Sequence, residues 1–113
     1  MSGTEQENRI AEVLSESEVK TVTEETLLIF HDFLIDNLEL PCEVVVAGED
    51  ENFMLDDIQD SGDDLYGILG SISEIKKDPK VTLVPLCDVK ALDNRSKNAE
   101  ILEDYAFWFI NAQ

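Results

Sequence analysis

FLIDNLELPCEVVVA, residues 33–47, is where the chain changes character. On its left, Phe33, Leu34, Ile35 and Leu38 continue an apolar run that begins at Leu27, with Thr23 placed to cap it and Glu24 and Glu25 in a first turn whose dipole favours anions. This predicts a largely buried helix that stops just before Pro41, because the residue preceding a proline is driven out of helical conformation. On its right, CEVVVA is the first of four short β-branched or apolar runs, at 42–47, 52–58, 65–75 and 80–86, separated by Gly, Asp and Pro. These predict four antiparallel strands. Both faces of the last run are apolar, Val81, Leu83 and Pro85 against Thr82, Val84 and Leu86, which predicts a central position in the sheet.

Working outward, residues 5–17 place Ile10, Val13 and Leu14 on one side of a helix too short to be stable unless it docks. Residues 1–20 are therefore expected to be loosely attached. At the other end Ser96 or Asn98 can cap a helix that carries Ile101, Leu102, Tyr105, Trp108 and Phe109 at helical spacing. The expected fold class is α+β: a small curved antiparallel sheet or SH3-like barrel of about four strands, flanked by an N-terminal long helix and a C-terminal helix. With 113 residues, one domain spanning 1–113 is expected.

The chain has 26 Asp and Glu against eight Lys and Arg, a net charge of −18. A hydrophobic content of 43% is too high for a disordered acidic tail, and the charge opposes contact with DNA, RNA or anionic lipid. No run approaches the roughly 18 apolar residues of a membrane span, and the first residues show neither a basic nor an apolar signal region. A cytoplasmic monomer is expected. Two cysteines, Cys42 and Cys87, make no disulfide framework, and with His31 as the single histidine they make no ordinary zinc site. Both thiols are read as buried packing groups, and His31 as a helix-face residue.

The charge is unevenly placed. Between Lys20 and Lys76 there are fifteen Asp and Glu and no Lys or Arg, and residues 48–64 alone hold eight carboxylates. On the long helix Glu25, Asp32, Asp36 and Glu39 form one stripe, and Asp36 and Glu39 stand near the C-terminal end, where the dipole disfavours anions. A Lys would relieve this repulsion, and so would a bound cation. Crowded carboxylates in irregular segments suit Ca²⁺, which accepts six to eight oxygens with tolerant geometry, better than Mg²⁺. Charge crowding alone nominates Asp56, Asp57, Asp60, Asp63 and Asp64, beside Asp32 on the stripe. These loops do not form an EF-hand: with Asp57 at position 1, Gly62 falls correctly at position 6, but Ile68 stands where the bidentate Glu is required. No nucleophile–base pair, phosphate loop or HExxH-type motif is present, so no enzyme is expected.

FLIDNLELPCEV at 33–44, VPLCDVKAL at 84–92 and LEDYAFWFIN at 102–111 resemble, in order and spacing, three segments of the cyanobacterial calcium-binding protein CcbP family. The resemblance spans about residues 27–111. It implies a small acidic cytoplasmic protein that binds Ca²⁺ without EF-hands and buffers or regulates free calcium, with no catalysis. It also implies Asp36 as first choice of ligand, flanked by Glu39 and Glu43, and it matches Asp104, whose alternative role is to hold the final helix by a hydrogen bond. The family pattern often has an aromatic at the position of Cys42, which implies packing there. The rival reading is an acidic interaction or nucleic-acid-mimic module that docks a basic protein partner independently of Ca²⁺.

Overall fold

The computed structural model describes residues 5–60, 66–74 and 81–113, with Asp60 described by its backbone only. In chain order the elements are α1 (Glu5–Val13), α2 (Glu24–Asn37), β1 (Cys42–Val46), β2 (Asn52–Asp60), β3 (Ile68–Glu74), β4 (Thr82–Pro85), a 3-10 turn at Leu86–Asp88, β5 (Val89–Ala91) and α3 (Lys97–Asn111). The strands form one antiparallel sheet in the order β4-β3-β2-β1-β5. The outer strands β4 and β5 do not pair with each other, so the sheet is open rather than a closed barrel.

Local chemistry sets the helix ends. Thr23 and Thr26 make a reciprocal cap: the Thr26 amide donates to the Thr23 hydroxyl at 3.1 Å, and the Thr23 amide donates to the Thr26 hydroxyl at 2.8 Å. At the far end Leu38 is already extended, with ψ 138°, and its amide still donates to the Leu34 carbonyl, so α2 ends at Asn37, with three residues between it and Pro41. Ser96 caps α3 by accepting the Ala99 amide at 3.1 Å, which leaves the Asn98 side chain for another task.

The sequence of β2 contains a phase change. Phe53 and Leu55 alternate inward, but the next buried residue is Ile58, three positions on instead of two. A bulge between Leu55 and Asp57 absorbs the extra residue, so that Ile58 returns to the core face opposite Gly70. Asp56 and Asp57 occupy the bulge and stay exposed.

Against that inner face pack Leu27, Phe30 and Leu34 of α2 and Leu102, Tyr105 and Trp108 of α3. Phe30 stacks on Trp108 at 4.9 Å and meets Tyr105 edge-on at 5.3 Å, geometries that aromatic quadrupoles favour. The Tyr105 hydroxyl accepts the Ile68 amide at 2.8 Å. Beside it Gly67 has φ +68°, and a Cβ there would lie 2.5 Å from both Tyr105 Oη and Phe109 Cε1. Only glycine fits.

One expectation needs correction. The run 80–86 yields β4, an edge strand, with Val81 and Leu83 exposed at 65% and 48%. Pro85 gives the physical reason, since a residue without an N–H suits an edge. The sheet also has a fifth strand, β5, three residues long and too short to show a period. The N-terminal segment is docked: Ile10 and Leu14 are buried, and the Lys20 carbonyl accepts the Trp108 indole N–H at 2.9 Å. The thiols of Cys42 and Cys87 are half-buried. No described helix is long and apolar enough to cross a membrane.

Candidate metal centre

With Leu27, Phe30 and Leu34 of α2 turned to the core, Asp32 and Asp36 are left outward. Asp36 stands in the last turn, which carries no basic residue. The following turn is held by Asn98 of α3, whose carbonyl accepts the Glu39 amide at 3.0 Å and whose amide donates to the Glu39 carbonyl at 2.9 Å. This clamp fixes the Glu39 backbone and leaves its carboxylate in solvent. Glu43 follows on β1, opposite Met54, on the exposed side of the strand. It lines a recess of about 340 Å³ that it shares with Cys42, Asp93, Ser96 and Asn98. Asp93 was not singled out by the sequence. One of its oxygens accepts the Arg95 amide at 3.0 Å in the turn before α3, and only the fold brings it beside Glu43.

The register brings a second acidic group to the same end. β1 begins with Cys42 opposite Leu55, so Asp56 is the first residue of β2 beyond that pairing, on the side of the α2–β1 turn. Asp56 accepts the Ser73 hydroxyl at 2.7 Å, and Asp57 accepts the Ile58 amide at 2.9 Å. Asp36, Glu39, Glu43, Asp56 and Asp57 form no ion pair with a described residue. Asp63 and Asp64 lie outside the described residues, as does the side chain of Asp60.

The remaining two nominees sit elsewhere, facing a groove between the helices. Asp32 is exposed, with Oδ1 3.4 Å from His31 Nδ1. Asp104 is buried in α3 and held by both arms of Arg9, Nε to Oδ2 at 2.7 Å and Nη2 to Oδ1 at 3.0 Å. This fork-on-fork geometry raises the Arg9 pKa further, chiefly through the hydrogen bond to Asp104. Neighbouring Glu100 is held below the usual carboxylate range by its hydrogen bond to Lys97 and then by the Arg9 charge.

Among the described residues, no three Asp, Glu, His or Cys side chains lie close enough together to hold an ion. The structure therefore brings the turn-end acids to one side without assembling a cage. The donor set still discriminates between metals. Burial pushes both thiols up, at Cys42 partly offset by a bond from Asn98 and at Cys87 reinforced by Asp88, so they stay protonated and are poor soft ligands. What remains are hard carboxylate and carbonyl oxygens, the donors that suit Ca²⁺.

An open sheet backed by helices, with acids at the α2–β1 end that pair with no described cation, defines a small acidic α+β protein. The profile of the CcbP family (Calci_bind_CcbP, calcium binding) matches residues 9–109, and the chain belongs to that family. The match reaches further toward the N-terminus than the three quoted motifs and takes in Arg9. The crystal structure of Anabaena CcbP shares the fold, with a TM-score of 0.71 and 22% identity over 96% of this chain and 94% of that chain. A calcium binding protein in the calcium-binding form gives a TM-score of 0.70 and 22% identity over 93% of this chain and 89% of that one. At this identity the likeness speaks for the fold. No curated protein matches the sequence.

Proposed function

We propose that this protein binds Ca²⁺ reversibly through the carboxylates at the α2–β1 end of the molecule and so buffers or regulates free calcium. One observation carries the reading: in a member of a calcium-binding family, the fifteen acids between Lys20 and Lys76 are interrupted by no Lys or Arg. Asp36, Glu39, Glu43, Asp56 and Asp57 are the proposed ligands from the described residues, with Asp60 at the end of β2 and Asp63 and Asp64 after it in the sequence as further candidates. Asp32 and Asp104 stand apart from this set. An ion at Asp104 would have to displace a guanidinium that already satisfies both oxygens.

Calcium supplies the positive charge that the turn lacks, which relieves repulsion among its acids and the mismatch of Asp36 with the helix dipole. The chain's part is to hold the backbone of the turn with the Asn98 clamp and to splay Asp56 and Asp57 at the bulge. Since the side chains are not pre-gathered, binding includes the entropy of ordering them, and a dissociation constant of roughly 10⁻⁷ to 10⁻⁵ M is expected. No catalytic role is proposed, and we place the protein in the cytoplasm as a monomer.

The test is calorimetric titration of Ca²⁺ into chelator-stripped protein at an ionic strength of about 0.15 M, with millimolar Mg²⁺ present. Saturable binding of one or two ions that weakens at least tenfold in Asp36→Asn supports the reading. A featureless isotherm sinks it.

A further inference from the structure

Residues of α1, the turn after it, α2 and α3 line a groove of about 590 Å³. Its apolar lining comes from Val13, Ile29, Phe33 and Ile101, and its exposed edges from Glu12 on α1, Glu16 in the turn after it and Asp32 on α2, with the rim cation Lys97 already engaged by Glu100 at 3.0 Å. At one end lies the ion pair of Arg9 with Asp104, which shows in cis what this surface accepts: a guanidinium seated on a carboxylate, with Glu100 a further 3.5 Å from Arg9 Nε. Glu12 and Glu16 have no ion pair with a described residue, and Asp32 has only His31. An apolar trough with acidic edges complements a chain segment that carries both apolar and cationic side chains. It does not suit a bare cation, which would leave the trough unused, or an anion.

We infer that this groove docks a basic amphipathic peptide segment of a protein partner, with an apolar side chain between Phe33 and Val13 and Arg or Lys against Glu12, Glu16 and Asp32. Lining and charge together support this occupant, because each rules out a different alternative. The site is separate from the proposed calcium ligands at the α2–β1 turn, and the inference does not depend on calcium.

The experiment uses the full chain in chelator at about 0.15 M ionic strength, so that diffuse attraction is screened. A labelled helical peptide of Arg, Lys, Leu and Ala is the probe, beside the same peptide with every Leu replaced by Ala. Binding is read by fluorescence anisotropy. Glu12→Gln/Glu16→Gln is expected to weaken binding about fivefold, the scale for losing two exposed ion pairs. Glu49→Gln/Glu51→Gln, the same charge change on the β1–β2 turn, is expected to leave it unchanged. All four positions are exposed, so folding is not at stake. Equal weakening by both pairs, equal binding of the Leu-free peptide, or no binding of either peptide would overturn the inference.

Discussion

Asp104 and Asp36 are the same side chain on two helices that pack against one core, and their surroundings differ in kind. Around Asp104 the chain answers its own polar groups: Arg9 donates to the carboxylate, the Ile68 amide donates to the Tyr105 hydroxyl, and the Lys20 carbonyl accepts the Trp108 indole N–H. Around Asp36 the neighbouring acids Glu39 and Glu43 bring more negative charge and no described cation. A carboxylate with an internal partner contributes to folding, whereas one without a partner costs stability until an ion arrives. The two ends should therefore respond to substitution with opposite signs.

The strongest test of the self-satisfied end is Gly67→Ala. Its Cβ would collide with Tyr105 and Phe109 at a positive φ, and a loss of about 3 kcal/mol is expected from overpacking and backbone strain together. Urea denaturation measures it, and the calcium isotherm of the folded fraction should not move. Next comes Asp104→Ala. Arg9 is 36% exposed at its side chain, so solvent tempers the loss to about 2 kcal/mol, below that of a fully buried pair. A variant of unchanged stability that loses calcium would make Asp104 a ligand and erase the division. The smallest effect is also the most telling in sign: without calcium, Asp36→Asn should raise the unfolding free energy by a few tenths of a kcal/mol, read as a higher denaturation midpoint, since it removes an anion from a helix C-terminus and from its acidic neighbours. A destabilised apo protein would show that Asp36 has an internal partner.

Elements governed by near neighbours were legible in the sequence. Thr23 and Ser96 announced their helices, and the texture change at Pro41 announced the sheet. Pro85 also carried the right message about β4, but the apolar run around it outweighed that single residue. What the sequence concealed depends on distant partners. Arg9 and Asp104 are 95 positions apart, and Asn98 meets Glu39 across 59. Asn98 was read as one of two possible caps, and with Ser96 in that role its amide became the clamp on the acidic turn. The same holds at the candidate site, where the family resemblance named Asp36 and Glu43 but could not show Asp93 sharing a recess with Glu43.

The bulge in β2 has a consequence for how this protein can vary over time. Replacing Asp56 or Asp57 by a neutral residue changes the charge of the strand and leaves its pairing alone. Deleting either one leaves Ile58 two positions beyond Leu55, so simple alternation still turns it inward opposite Gly70, and what disappears is the bulge together with one carboxylate. The core face therefore tolerates both substitution and the loss of one residue here, and it is the pair of splayed carboxylates, not the packing, that requires the doublet.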